Sequence, residues 1–233
     1  HMDNVKLWVC FNRIIWMIDN MIKLEVSVRA LFLCVRLFNK VISLINMDEK
    51  SIILYSIACL GLGAKFENSF AQPVSAYAEL SSQFSEQDII ECEQEILIKL
   101  DFQISIPTEK FFLNYWTNQI EGDENIGMTA TFISFCSFLD SRICTYTAEV
   151  VAAAIFHITV DNVNPDYTIR PLYNVVNRVG DSKIKECENI ISEAIQKVGS
   201  NTDCTIYKMF AIPERKNASE VQYIIPLDFN GIE

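Results

Sequence analysis

Glycine and proline are scarce, at 7 and 6 of 233 residues. A protein of many short strands needs more turn residues than that, so long helices with few joints are expected. Histidine is scarcer still, at 2. His1, standing before Met2, reads as a cloning scar and is set aside, which leaves His157. There is no Gly-rich phosphate loop, no H-E-x-x-H and no Cys/His cluster at metal-ligand spacing, so an enzyme is not expected, nor a metal or other cofactor. His157 itself sits among Ala154, Ile155, Phe156 and Ile158, and reads as a satisfied core residue rather than a catalytic base. Positive charge is also in deficit. Lys and Arg total 19 against 30 Asp and Glu, a formal net charge of −11. That is the wrong sign for a protein that neutralises phosphates along nucleic acid, so no nucleic-acid partner is expected. Finally, no two of the 8 cysteines (Cys10, Cys34, Cys59, Cys92, Cys136, Cys144, Cys187, Cys204) form a C-x-x-C pair. Several lie in apolar helical patterns where a thiol acts as a small hydrophobe, pointing to a reducing, intracellular compartment.

Half of the residues are hydrophobic, enough to bury a core or two. The stretch from Val26 to Met47 is the most membrane-like, yet Arg29, Arg36 and Lys40 interrupt it on one helical stripe, so an amphipathic packed helix is expected and no membrane partner. No signal-peptide pattern precedes it, since the first apolar segment runs into helical periodicity without a small-residue cleavage site. Periodicity of 3.6 predicts helices near 4–22, 26–45, 50–67, 73–81 and 86–100, then near 108–120, 126–140, 147–161, 168–177 and 181–198. The joint falls at Asp101 to Thr108, where Pro107 disfavours helix at its predecessor and Thr108 can cap the next one. A polar loop from Gly199 to Cys204 then leads into a tail containing Val221, Tyr223, Ile224, Ile225 and Pro226.

The middle helix of each half is apolar all round and rich in small residues: Ser56 to Ala64 in the first, Ala148 to Phe156 in the second. Such a helix must be surrounded, so each half is expected to pack four helices about a central third. The recurrence about 90 residues later favours a duplicated unit. The predicted fold is therefore all-α, two tandem five-helix repeats each with a central buried third helix.

Two charged residues resist a packing-only account. Ser85 and Asp88 make a capping box for the fifth helix. Its apolar face holds Ile89, Cys92, Ile96, Leu97 and Leu100, and Glu93 projects into the middle of that face, whereas Glu91, Gln94 and Glu95 point away. A carboxylate there needs a partner. Lys65 ends a run from Ser51 to Ala64 that has no charged residue, at a helix C-terminus where a cation is favoured. Two readings stand: Lys65 pairs with Glu93, or Lys65 caps its helix while Glu93 reaches water.

The order Ala64-Lys65-Phe66-Glu67, Glu93, Leu100-Asp101-Phe102, Ile106-Pro107-Thr108 and Phe111-Phe112-Leu113-Asn114-Tyr115 resembles the cyclin box. The second half is similar to the second box of A- and B-type cyclins at Ala153-Ala154-Ile155-Phe156-His157, as is Ser219-Glu220-Val221 in the tail. The resemblance covers about residues 10 to 228 and is weak before 40. It implies an N-terminal cyclin box at 3–101, a C-terminal cyclin box-like repeat at 108–198 and a tail at 199–233. It further implies a non-catalytic regulatory subunit, in nucleus or cytoplasm, that forms a heterodimer with a cyclin-dependent serine/threonine kinase and activates it in cell-cycle control. By the same resemblance Lys65 and Glu93 face the kinase, and Leu62, Phe66, Phe102 and Ile104 pack against its regulatory helix.

The sequence also departs from that family. The resemblance implies a buried Arg in helix one paired with an Asp in helix two, but Asn39-Lys40 stands where the family has Asp-Arg. An ungapped register of helix one puts Cys10 on that Arg and Trp16 on the family tryptophan. A shifted register instead matches Asn12-Arg13-Ile14-Ile15-Trp16 to the Met-Arg-Ala-Ile-Leu segment. In the ungapped register Trp16, Asp19 and Ile52 suit a groove that recruits kinase substrates or inhibitors, with Asn12 and Arg13 in place of aliphatic residues; Trp16 as plain core is the alternative. The N-terminal helix of larger cyclins is expected to be missing or very short, and no Arg has Leu three positions later, so an Arg-Leu degron is not expected. Acidic pairs such as Asp123-Glu124 read as solvated loop. The rival readings are an adaptor like transcription factor IIB, for which Arg29, Arg36 and Lys40 would be the basic stripe, and a degenerate cyclin that holds a kinase without activating it.

Overall fold

The computed structural model of the chain describes residues 4–120, 125–163, 170–220 and 223. They contain helices and turns and no strand, and fall into two units, His1–Thr108 and Glu109–Glu233. Among the described residues no helix is long and apolar enough to cross a membrane. Asp123 and Glu124, and all of the tail beyond Glu220 except Tyr223, lie outside the described residues.

The first unit runs α1 (Asn4–Asn20), α2 (Val28–Leu44), α3 (Glu49–Glu67), α4 (Val74–Ala78) and α5 (Glu86–Lys99). Three starts are written in the sequence as side-chain caps. Ser27 accepts from the Ala30 N–H, Asp48 from the Ser51 N–H, and Ser85 with Asp88 closes the expected capping box, each such cap stabilising by about 1 kcal/mol. Helix α3 is the hub, packed by α1, α2, α4 and α5, and every residue from Tyr55 to Ala64 is buried. Gly63 is what allows α2 to come so close. A Cβ built there would lie 2.4 Å from Cys34 Sγ and 3.2 Å from the Ala30 carbonyl oxygen, contacts no alanine could make. After α5 the chain turns through Asp101 and Phe102, both in left-handed backbone (φ 50° and 56°). The Phe102 N–H closes the turn on the Leu97 carbonyl at 2.8 Å.

The second unit runs α6 (Glu109–Thr117), α7 (Ile126–Ser137), a short 3-10 turn (Ser141–Thr145), α8 (Ala148–Val163), α9 (Arg170–Val179) and α10 (Asp181–Gly199). Here α8 is the hub, touched by α6, α7, α9 and α10 and buried from Val150 to Val160. Two expectations need adjusting. The predicted helix 73–81 shrinks to one and a half turns, because Pro73 sets its start and the Ser81-Ser82 pair favours a turn. Residues past Cys204 are not simple tail. A further helix, α11 (Thr205–Phe210), docks on α7 and α10, and its Phe210 ring meets Phe132 and Phe135 edge-on at centroid distances of 5.4 and 5.2 Å. Tyr223 stacks on Phe132 at 5.4 Å.

Candidate functional site at the ends of α3 and α5

Lys65 and Glu93 meet. The Lys65 ammonium donates to both carboxylate oxygens, at 2.7 and 2.6 Å. Of the two readings of this pair, direct pairing is the one the structure shows. Helix α5 turns Glu93 inward, between Cys92 and Ile96 of its buried face. Gly61, one turn before Lys65 on α3, leaves the space the carboxylate fills: a Cβ there would sit 2.8 Å from Glu93 Oε1. The two side chains differ in exposure, 41% for Lys65 and 10% for Glu93. The carboxylate is thus held inside while its cation lies at the rim, with donor capacity facing outward. Beneath them Tyr77 is 1% exposed, and its hydroxyl is buried without a hydrogen-bond partner. Burial, with the nearby Glu93 carboxylate, pushes that phenol up to about 12.

The surroundings are apolar and open. Phe66 near the end of α3 is 48% exposed and Phe102 just after α5 68%, and Phe70, three residues past α3, and Ile98 of α5 are exposed as well. Adjacent large apolar side chains left in water mark a docking surface more often than a free one. Phe102 adds a second mark, since a bulky residue held in left-handed backbone costs about 1–3 kcal/mol and persists where something gains from its position. Ile104 is half-buried beside it. Leu62 is largely enclosed in the α3 core and presents little surface.

The residues read as a recruitment groove are only partly brought to the surface. Asp19 is exposed and Trp16 half-buried, with the Arg13 guanidinium over its ring at 4.0 Å. Ile52 is a correction: it is 1% exposed, so no groove runs over it, and its neighbour Ile53 is the half-buried one. Helical spacing explains this, because Ile52 lies one turn before Tyr55 and Ser56 on the inward side of α3. Arg13, the arginine of the shifted register, donates to Ser56 Oγ on α3 at 2.7 Å, and Cys10 is buried. In the basic stripe, Arg29 pairs with Glu67 at 2.7 Å.

The second unit carries a pair that went unread in the sequence. His157 of α8 and Glu188 of α10 lie 2.7 Å apart, with side chains 6% and 7% exposed. Asp161 is 3.8 Å from the other ring nitrogen. Burial alone lowers the imidazole, but the Glu188 hydrogen bond and charge, with Asp161 and Asp181, outweigh it and raise His157 above its usual value. Burial likewise raises Glu188. The signal was available: Glu188 falls among Ile184, Cys187, Ile191 and Ile195 on the buried face of α10, as Glu93 does on α5.

A hub helix ringed by four others, with a fixed cation–carboxylate pair at its rim, is the architecture of a cyclin fold. The family model for the cyclin N-terminal domain matches residues 12–105. The viral cyclin of herpesvirus saimiri superposes with a TM-score of 0.64 at 17% identity, over 80% of this chain and 85% of that one. A chain of the yeast RNA polymerase II CTD kinase complex CTDK-1 does so at 0.68 and 12% identity, over 88% and 71%. Among sequences, Cyclin-B2-2 of Oryza sativa subsp. indica is 21% identical over 197 residues, 84% of this chain and 47% of that protein. G2/mitotic-specific cyclin S13-7 of Glycine max is 20% identical over 205 residues, 86% of this chain and 78% of that protein. The chain spans less than half the length of the rice relatives, 47% of one and 43% of another, Cyclin-B1-3. Residues 12–105 are thus matched by the cyclin N-terminal domain, and the chain has the cyclin fold.

Proposed function

We propose that this chain is a regulatory, non-catalytic subunit that binds a cyclin-dependent serine/threonine kinase through the ends of α3 and α5 and activates it, inside the cell and in cell-cycle control. The first unit then acts as the N-terminal cyclin box and the second as its box-like repeat. One observation carries the reading: a pre-formed Lys65–Glu93 pair with its ammonium at the surface, set among the exposed side chains of Phe66 and Phe102. Burying those rings against a mobile kinase helix supplies affinity, and the pair supplies register, because a mispositioned partner would leave a charge desolvated and unpaired. Activation follows if the surface binds the kinase's active conformation better than its inactive one, which is all that a shift of population requires. No cofactor takes part.

The test is co-purification from cells with identification and assay of any bound kinase. Lys65→Ala and Glu93→Ala should each weaken association by about 2–5 kcal/mol, and the double variant by less than their sum. Gln94→Ala, on the exposed face of α5, is the control; Glu95 is less suitable, because the Tyr55 hydroxyl bonds it. A folded double variant that binds and activates the kinase like the wild type would overturn the reading. Salt-sensitive binding to DNA without a kinase would favour the adaptor alternative.

A further inference from the structure

One cation of the second unit is enclosed without an acid. Lys110 stands in the first turn of α6, and its ammonium donates to Thr131 Oγ1 of α7 at 2.8 Å. The Thr131 hydroxyl is itself spent on the Gly127 carbonyl at 2.7 Å, so its oxygen serves Lys110 as an acceptor only. Thr131 is buried and Lys110 half-buried. Among the described residues no carboxylate pairs with this ammonium. Even Glu109, the preceding residue, is buried at 2% exposure and makes no pair with it. Lys65, by contrast, donates to two carboxylate oxygens, where Lys110 has one neutral oxygen.

The niche is matched to a different number of donors from the one the free side chain brings. An ammonium carries three N–H groups and a full charge, and the niche offers a single acceptor. Enclosure without a counter-charge disfavours the charged form. It is the sole influence on Lys110 and lowers it to about 8, so a share of the amine is uncharged and nucleophilic near neutral pH. A secondary amide at the same nitrogen carries one N–H and no charge. That N–H keeps the bond to Thr131 and the two surplus donors disappear. The new carbonyl, at the tip of a side chain that still reaches solvent, is hydrated. The surroundings therefore fit the acylated lysine better than the free one.

We propose that Lys110 Nζ is a modification site that takes an activated acyl group, carried as a thioester or an acyl phosphate. The lone pair of the uncharged amine attacks the acyl carbon. The C–N bond forms, the C–S or C–O bond breaks, and the thiolate or phosphate leaves while the amine proton passes to water. Nothing is oxidised or reduced. The site lies in the second unit and makes no use of the α3–α5 surface, so it stands or falls separately from the function proposed above.

The test uses the full folded chain, with acetyl-coenzyme A and acetyl phosphate in separate arms and the rate at each lysine read by peptide mass. Lys99 and Lys183, both exposed, are the references. At about pH 7.5 Lys110 should be acetylated about tenfold faster than either, or more, and its rate should level off near pH 9 while theirs go on rising. Acetylation by one donor alone identifies thioesters or acyl phosphates as the source. Stability is the second readout. The chain acetylated at Lys110 should have a higher urea midpoint for its second unit than the unmodified chain. Lys110→Met, which removes the charge and keeps the stem, should show the same rise. Thr131→Val removes the acceptor and should shrink the gain from acetylation, which a merely reactive surface amine would not show. A Lys110 rate no higher than that of Lys183, or a urea midpoint that falls on acetylation of Lys110, would overturn the assignment.

Discussion

The third and fifth helices of each unit are joined by a cation–carboxylate pair, yet the two pairs are built for different surroundings. Lys65–Glu93 keeps its carboxylate inside and its cation 41% exposed. His157–Glu188 is sealed, both side chains under a tenth exposed. The carboxylates occupy equivalent places on α5 and α10, so the difference lies in the cation. Lysine is long enough to carry its charge to the rim, whereas the short imidazole keeps its charge beside its partner. Neighbouring residues follow suit. One turn before Lys65 stands Gly61, which a Cβ would drive to 2.8 Å from Glu93 Oε1; one turn before His157 stands Ala153, fully buried. A polar link at the surface can be shared with a partner. A sealed one can only tie its own unit together.

Breaking the sealed link should have the largest effect on stability. His157→Ala leaves Glu188 desolvated without its counter-charge and should cost the second unit about 3–5 kcal/mol, read as a lower urea midpoint. Lys65→Ala, whose abandoned carboxylate can be hydrated from the rim, should cost the first unit about 1 kcal/mol. Equal losses would erase the distinction.

Gly61→Ala sharpens it from the other side. Displacing the Glu93 carboxylate should destabilise by about 1–3 kcal/mol and lengthen the Lys65 contact, visible as weakened kinase association without loss of helicity.

A smaller, opposite effect is expected at the strained turn. Phe102→Gly relieves left-handed backbone and should stabilise by about 1 kcal/mol, while removing a 68% exposed ring should weaken association. A rise in both quantities would refute a docking role for Phe102.

The smallest effect is in pH. His157 is raised above 6.5, so its stabilisation is complete below 6.5 and is lost as pH rises through the raised value. The charged groups that raise it are the acids Glu188, Asp161 and Asp181. Glu188 and Asp161, held above 4.5 and 3.8 by burial, add a loss of the same sign at lower pH. Urea midpoints of the second unit should therefore fall from pH 6 to pH 8, and His157→Gln should flatten that slope.

How much of this was legible beforehand depended on pattern. Glu93 was readable because a charge in the middle of an apolar stripe breaks a period that the rest of α5 keeps. Lys65 was readable because it ends a charge-free run. Gly61 looked like one small residue among many, since only the position of a carboxylate 32 residues later gives it a reason. Arg13 was ambiguous for the same cause: its partner, Ser56, is too ordinary to announce itself, and the acid expected on α2 is an asparagine. Ile52 and Ile53 could not be told apart without knowing which side of α3 its neighbours cover. The docking of α11 rests on Phe210 finding Phe132 and Phe135, a contact no local period encodes.

The close approach of α2 and α3 at Gly63 gives the chain an internal clock. Cys34 Sγ has no room for an added group, and burial pushes its thiol well up, so an alkylating reagent reaches it only when the two helices part. Cys136 and Cys187, fully buried in the second unit, keep separate time there, and exposed Cys144 gives the unhindered rate. A single labelling course, resolved by peptide mass, would time the opening of each unit separately.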